Sequence, residues 1–288
     1  MAKRLPVNKT HKLFIGGAFP RSESGRVMAA GVDGGSVSVA HASRKDLRDA
    51  VEAARKAFGG WSGRDAYNRG QILYRLAEMI ETRRETFAGA VAAGSGASIA
   101  DARREVDATV DRVVCFAGWT DKFGMLLGSH DPVAGPYHVF TVPEAVGVTM
   151  VVGPDAPALL GLVTLVAAGL ATGSTIVAVA GPPAVLAAVE LAEACATSDI
   201  PAGAVNILTG HPAELAAPAA DHRGIDAIVA AGESSTNTIL RAGAAENLKR
   251  VRIVEWTEAD WADDAVAAGP DVLESFLEMK TLWHPAGT

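Results

Sequence analysis

An alternation of apolar β-like and helix-like segments between residues 146 and 254 constrains the fold of this chain more than any other feature. The β-like segments span residues 146–152, 174–180, 205–209, 225–230 and 251–254. The helix-like segments between them span residues 159–171, 184–196 and 234–245. Apolar strands separated by helices are typical of a sheet buried on both faces, which is a parallel sheet. Because crossovers are right-handed, the pattern predicts an α/β fold with a doubly wound, Rossmann-like parallel sheet.

Length and charge exclude several classes of protein. A chain of 288 residues can bury a large core. Its net charge of −7 and the lack of a basic run argue against nucleic acid and membrane surfaces as partners. Only two cysteines, Cys115 and Cys195, are present, which suits a reducing compartment. No apolar stretch follows the basic residues at the N-terminus, so we predict no signal peptide and a cytoplasmic location.

The uncharged run over residues 158–180 is long enough to span a bilayer. Thr172, Gly173 and Ser174 interrupt its middle with a helix stop and the start of a β-branched run. A membrane helix would be expected to have Lys or Arg close to its ends, and no such residue closely flanks this run. We therefore interpret it as a buried helix, turn and strand.

The rest of the chain divides by pattern into four further parts. Residues 1–130 predict hairpins and helices that pack on the sheet, including a helix capped by Ser43 and a single amphipathic helix from Asp65 to about Gly94. Residues 131–145 contain prolines, glycines and β-forming residues in an order that predicts an extended arm. Residues 255–272 are acidic and lack periodicity, so they predict a linker, and residues 273–288 predict a short helix followed by a strand.

Several stretches together resemble the aldehyde dehydrogenase superfamily from about residue 12 to residue 251. They are Lys12-Leu-Phe-Ile-Gly-Gly, Cys115-Phe-Ala-Gly-Trp119, Glu144-Ala-Val-Gly-Val148, Val205-Asn-Ile-Leu-Thr-Gly210 and Asn247-Leu-Lys-Arg-Val251. Residues 276–283 also resemble the C-terminal strand of the family. The resemblance implies a cofactor domain of the Rossmann type and a small β sheet for oligomerisation.

One large part of the family pattern is missing. In the family, a separate catalytic domain with a nucleophilic cysteine lies between the last Rossmann strand and the C-terminal strand. Here roughly 25 residues separate these strands, fewer than the about 50 that a small domain needs. The chain therefore resembles a truncated member without the catalytic domain. Cys115 and Cys195 fall in helices of the cofactor domain, where a cysteine behaves as a small apolar residue.

The resemblance also indicates that the supporting catalytic groups are lost. Ala156 stands where the family has the asparagine that donates a hydrogen bond to the oxyanion. Glu255 lies one position away from the family's general-base glutamate and lacks the two glycines that follow it, which makes it a weak candidate. We predict no catalytic residue and interpret Glu255 as a solvated residue at a strand end.

Remnants of cofactor binding are predicted at Gly153, Pro154, Gly210, Gly232 and Glu233. The lysine and glutamate with which the family binds the adenosine ribose have no counterpart in residues 179–182. Glu233 replaces a serine at a helix start, where its charge would repel a phosphate. We therefore predict that no cofactor binds, and NAD or NADP would be the cofactor if one does. His211 and His222 do not form a metal site by their spacing.

The arm and the C-terminal strand are the parts that the family uses for oligomerisation, in a small sheet that reaches the catalytic domain of a neighbouring subunit. The residues predicted to form this interface are Tyr137, Val139, Phe140, Val142, Met279, Lys280, Thr281, Leu282 and Trp283. His138 and His284 are predicted at the interface or on the surface. A chain without a catalytic domain cannot exchange such contacts with a second copy of itself, because an isologous contact needs both halves on each chain.

Three functions remain as hypotheses. The leading one is a non-catalytic subunit that forms a hetero-oligomer with a full-length aldehyde dehydrogenase. The alternative is an NAD(P)-dependent oxidoreductase that acts on aldehydes, which requires a nucleophile. The third is a regulatory module that binds a nucleotide at the carboxyl ends of the strands.

Overall fold

The computed structural model describes residues 9–32 and 35–286. Their strands are β1 (Thr10–His11), β2 (Val27–Val32), β3 (Gly35–Ala40), β4 (Ser129–Asp131), β5 (Tyr137–Ala145), β6 (Val148–Val152), β7 (Thr175–Ala180), β8 (Val205–Thr209), β9 (Ala227–Ala230), β10 (Arg250–Ile253) and β11 (Leu277–Pro285). Their α-helices are α1 (Arg44–Ser62), α2 (Ala66–Thr82), α3 (Arg84–Ser95), α4 (Ile99–Trp119), α5 (Phe123–Leu127), α6 (Ala158–Thr172), α7 (Val185–Cys195), α8 (Pro212–Asp221), α9 (Ser234–Ala245), α10 (Glu258–Ala262), α11 (Asp264–Ala267) and α12 (Pro270–Glu274). The N-terminal residues considered for a signal peptide and the last two residues of the chain lie outside the described residues.

Five parallel strands form the central sheet in the order β10-β9-β6-β7-β8. The first of them, β6, lies in the middle, with β7 and β8 on one side and β9 and β10 on the other. Every residue of β6, β7, β8 and β9 is buried, as in a sheet covered by helices on both faces. The predicted doubly wound α/β fold is confirmed, and its strand order reverses between β6 and β9.

All residues of α6 are buried, which explains the long uncharged run in the sequence. The helix packs between the sheet and α2 and α4, so it presents no polar face to solvent. Gly173 ends it in the left-handed conformation with φ +96°, and β7 begins two residues later. Among the residues that the structure describes, no helix is long and apolar enough to cross a membrane.

The N-terminal helices follow the predicted periodicity, with one change. Ser43 caps α1 as predicted, because its hydroxyl accepts from the Asp46 backbone N–H while the Asp46 carboxylate accepts from the Ser43 N–H. The single helix predicted after residue 65 is two helices that meet at Arg83. Ile80 before the break and Phe87 after it are both fully buried.

Residues 255–272 contain α10, α11 and the start of α12 rather than the patternless linker expected from the sequence. Thr257 caps α10 by accepting from the Asp260 N–H. Trp261 is only 1% exposed and packs edge-on against Trp256, with ring centroids 4.8 Å apart. Helices of four or five residues are too short to show an apolar period, so the sequence pattern did not reveal them.

A buried arginine of α4 fastens this segment to the helical layer. Arg112 is 1% exposed, and its guanidinium donates to the carbonyl oxygens of Trp261 at 2.9 Å and Ala267 at 3.3 Å. It also donates to Thr164 Oγ1 at 2.9 Å and to Asp264 Oδ1 at 2.9 Å. One side chain therefore joins α4, α6 and the segment that leads to the last strand.

The predicted arm and C-terminal strand form a second, antiparallel sheet in the order β11-β5-β4. β5 and β11 pair along their whole lengths, from Tyr137 opposite Pro285 to Ala145 opposite Leu277. β4 adds three residue pairs on the other side of β5. Only two residues, Val146 and Gly147, separate β5 from the core strand β6, so this small sheet is attached directly to the central sheet.

Replacing Arg112 with methionine should lower the free energy of unfolding by about 2–4 kcal/mol, because it leaves buried carbonyl groups without donors. The measurement is equilibrium unfolding in urea, followed by circular dichroism.

Arg75→Met is the matched control, because Arg75 forms an exposed pair with Glu78 at 2.8 Å. We expect a change within about 0.5 kcal/mol for this variant. Equal and small losses for both variants would show that Arg112 does not hold the segment in place.

Candidate functional site

A crevice lies at the carboxyl ends of β6 and β9, where the strand order reverses. This is the position at which doubly wound sheets bind ligands. Its volume is about 330 Å³. The residues that line it are Gly153, Asp155, Pro182, Pro183, His211, Pro212, Ala213, Gly232, Glu233 and Thr236. Three of the five predicted remnants, Gly153, Gly232 and Glu233, thus line this crevice. The other two, Pro154 and Gly210, are next in the chain to the lining residues Gly153 and His211.

The glycines of the crevice are required by packing. A Cβ on Gly210, which has φ +154°, would lie 2.7 Å from His41 Cδ2. A Cβ on Gly153 would lie 3.1 Å from the Cβ of Leu162 in α6. These contacts explain both glycines without a bound ligand, since a larger residue would displace a buried neighbour.

The start of α6 is occupied by a side chain of this protein. Glu105 of α4 accepts hydrogen bonds from the backbone N–H groups of Leu159 at 2.7 Å and Leu160 at 3.1 Å. Burial raises the pKa of the Glu105 carboxyl, and these two hydrogen bonds oppose the rise. Ala156 lies exposed just before the helix and has no side-chain donor for an oxyanion. Donors at this helix start are therefore already engaged.

The start of α9 carries a negative charge. Glu233 is exposed at the N-cap position, and its side chain makes no capping hydrogen bond. Asn237 lies one turn into the helix, is 7% exposed and donates to the Gly232 carbonyl oxygen at 2.8 Å. Its Oδ1 has no hydrogen-bond partner among the described residues. Asn237 is not among the residues predicted from the sequence, and its only signal there is a polar side chain shortly after Gly232.

The turn that follows β7 contains no charged side chain. Gly181 precedes a 3₁₀ turn over Pro182–Ala184, and both prolines line the crevice. Prolines lack the N–H that could bind an anion, and neither offers a group for a ribose hydroxyl. This turn therefore gives the crevice no charged side chain and, at Pro182 and Pro183, no backbone N–H group.

Neither cysteine lies in the crevice. Cys195 is the last residue of α7 and is buried, and burial raises the pKa of its thiol to about 12. Cys115 faces the segment after α11, with its Sγ 3.9 Å from the Ala268 carbonyl oxygen. Burial and the nearby Asp264 raise the pKa of that thiol as well. Both thiols are thus poor nucleophiles, because the thiolate is the reactive form.

Glu255 does not line the crevice. It follows β10, is exposed and makes no side-chain hydrogen bond or ion pair within the described chain. His211 packs edge-on against His41 with ring centroids 5.4 Å apart, and His222 accepts from the Gly224 N–H. In residues 9–32 and 35–286, no three potential metal ligands surround one point.

The small sheet exposes most of the residues predicted for an interface. Trp283 is 60% exposed, and its ring packs edge-on on Tyr137 at 5.8 Å between centroids. Met279, Lys280 and Thr281 are exposed, whereas Phe140, Val142 and Leu282 are half-buried. Val139 is only 1% exposed, so it is not available to a partner. It lies in the middle strand with Trp283 opposite on β11 and Asp131 opposite on β4.

The outer edge of β11 is open in the described structure, because β11 is the last strand of its sheet. At the ends of the ladder, Val146 N donates to Phe276 O at 3.0 Å and Ala286 N donates to Pro136 O at 2.8 Å. Hydrogen-bonded and non-hydrogen-bonded pairs alternate in antiparallel sheets, so even-numbered residues of β11 bond to β5. The residues whose N–H and C=O groups face the open edge are Met279, Thr281 and Trp283.

The family model for the aldehyde dehydrogenase family matches residues 29–255. Retinal dehydrogenase 2 of Mus musculus is 33% identical over 254 residues, which cover 85% of this chain and 48% of the relative. A putative aldehyde dehydrogenase of Bacillus subtilis, DhaS, is 30% identical over 252 residues, which cover 85% and 50%. The chain thus spans about half the length of the curated relatives it matches.

Solved structures give the same result for the fold. An aldehyde dehydrogenase from Bacillus cereus in complex with NAD⁺ has a TM-score of 0.80 at 29% identity, over 85% of this chain and 50% of that one. PnpE in complex with nicotinamide adenine dinucleotide has a TM-score of 0.79 at 28% identity, over 84% and 50%. These matches, with the family model that covers most of the chain, show that this protein belongs to the aldehyde dehydrogenase family.

Proposed function

We propose that this protein is a non-catalytic subunit that docks onto a full-length member of its family through the β4–β5–β11 sheet. The observation that carries the proposal is the open edge of β11 beside an exposed aromatic pair, Tyr137 and Trp283. Long, exposed strand edges pair readily with other chains, and proteins usually protect them. Addition of a strand to such an edge is a known mode of binding.

The segment between β10 and β11 and the positions of the two cysteines support a role without catalysis. The residues between β10 and β11 form α10, α11 and α12, which pack on α4 and α6. In the family pattern a catalytic domain occupies this interval. The short helices supply no nucleophile. The two cysteines lie outside the crevice, and the pKa values of their thiols are raised.

The open edge fits a full-length relative better than a second copy of this chain. The family's small sheet contacts a neighbour's catalytic domain, and the described part of this chain contains no such domain. A full-length relative offers that surface, and its own subunits already assemble through it. Because this subunit would bind only the folded form of the relative, binding would also raise the relative's apparent stability. The two unpaired cysteines suit a reducing compartment, so we place this assembly in the cytoplasm.

The substitution Thr281→Pro tests the edge directly. Proline removes the N–H that faces outward, while the ladder to β5 uses the even-numbered residues and remains intact. Tagged protein is captured from the native extract, and co-purifying proteins are identified by mass spectrometry. We expect wild type to retain a full-length aldehyde dehydrogenase and the proline variant to retain at least about tenfold less of it, because the missing N–H and the proline ring disrupt pairing with an added strand.

Thr281→Val is the matched control. It also removes the hydroxyl that bonds Thr141 Oγ1 at 2.8 Å, but it keeps the outward N–H. We expect this variant to retain the partner. Capture of no full-length relative by wild type, or equal capture by the proline variant, would contradict the proposal. A dimer of this chain alone, formed through β11, would also contradict it.

An oxidoreductase acting on aldehydes is the alternative, and the crevice favours it only through its shape. The pure protein, incubated with NAD or NADP and a panel of aldehydes, should form no reduced cofactor. Cys115→Ser and Cys195→Ser should give the same background as wild type. Turnover by wild type that disappears in one of the serine variants would establish an enzyme and identify its nucleophile.

A nucleotide-binding module is the third possibility. The start of α9 retains its backbone N–H groups, and the family includes members solved with NAD⁺. Against it stand the charge of Glu233 at that helix start and the two prolines after β7. These features support little or no affinity for NAD or NADP, so we propose no cofactor for this subunit.

A further inference from the structure

Three histidines lie on the same face of the small sheet. His138 is in the middle strand β5, His284 is directly opposite it on β11, and His130 is on β4. His130 pairs with Phe140, so it is diagonal to His138 on that face. All three side chains are exposed. Imidazole is a common metal ligand, and none of these residues belongs to the crevice or to the open edge.

Two of these rings are already close. His130 Nε2 lies 3.2 Å from His138 Nδ1. The ring centroids are 4.7 Å apart and the ring planes meet at 34°, so the imidazoles lie side by side rather than end to end. In this arrangement the two nitrogen atoms are adjacent at one edge of the ring pair and can face a common third atom.

We infer that His130 and His138 form a binding site for a divalent transition-metal ion of the kind that prefers imidazole, such as Zn²⁺ or Ni²⁺. Two Zn–N bonds of about 2.0–2.1 Å at a tetrahedral angle place the nitrogen atoms about 3.3 Å apart. The observed 3.2 Å matches that spacing. The ion would replace the single shared hydrogen bond with two coordinate bonds, and both nitrogens would have to be free of protons.

The surroundings of the pair permit a cation. Lys280 is the nearest cationic residue on this face of β11, and its Nζ is held by the Glu144 carboxylate at 3.0 Å. Phe140 packs against the His138 ring at 5.5 Å between centroids and limits the movement of that ring. Because both histidines are exposed, further coordination positions remain open to water. The site therefore resembles an open two-ligand chelate rather than a closed structural site.

Calorimetric titration of the chelator-treated protein with Zn²⁺ and Ni²⁺ tests the site. We expect saturable binding of one ion per chain, with Mg²⁺ giving no binding because it prefers oxygen ligands. His130→Gln and His138→Gln should each weaken binding at least about tenfold, since a chelate loses one of its two protein ligands.

His222→Gln is the control, because His222 lies on a different surface and accepts a hydrogen bond from Gly224 N that glutamine can also accept. Its affinity for Zn²⁺ should equal that of wild type. Circular dichroism of all three variants checks that the sheet remains folded. The inference is overturned if wild type shows no saturable binding, or if His130→Gln and His138→Gln bind as wild type does.

Discussion

The guanidinium of Arg112 joins the helices α4 and α6 to the segment that leads into β11, the strand on which the proposed function depends. It is buried where α4, α6 and the α10–α11 segment meet, and it donates to backbone carbonyls of Trp261 and Ala267. A buried charge is tolerated only where its donors are satisfied, so the segment must fold against it in one arrangement. The chain is thereby directed back to Phe276, whose carbonyl oxygen accepts from Ser174 Oγ and from Val146 N. β11 then pairs with β5, and its other edge is open in the described part of the chain.

At the carboxyl ends of the central strands the fold forms a crevice, but the side chains there do not favour a phosphate. At the turns after β6 and β8 the backbone is fixed by packing, because Gly153 and Gly210 would collide with neighbours if they carried a side chain. Two carboxylates lie at the helix starts of this site. Glu233 presents a charge of the wrong sign, and Glu105 engages the N–H groups at the start of α6. The shape of the crevice therefore follows from core packing and does not by itself imply a ligand.

Much of this could be predicted from the sequence, since the apolar alternation over residues 146–254 reports local structure and burial directly. The sheet, its helices and the pairing of the arm with the C-terminal strand follow from that pattern and from the family resemblance. Other features depend on contacts between residues far apart in sequence. The capping of α6 by Glu105, the role of Arg112 and the folding of residues 255–272 are of this kind, because neither periodicity nor short motifs encode them. The burial of Val139 within the interface sheet has the same origin, since strand register decides which side chains a partner can reach.

In the proposed assembly, this chain functions together with a catalytically complete relative. Native mass spectrometry of the endogenous protein, purified without a denaturing step, tests it most directly. We expect a single species whose mass requires both this 29.6 kDa chain and a full-length aldehyde dehydrogenase chain in a fixed ratio. A species that contains only this chain, whether as a monomer or as a homo-oligomer, would contradict it.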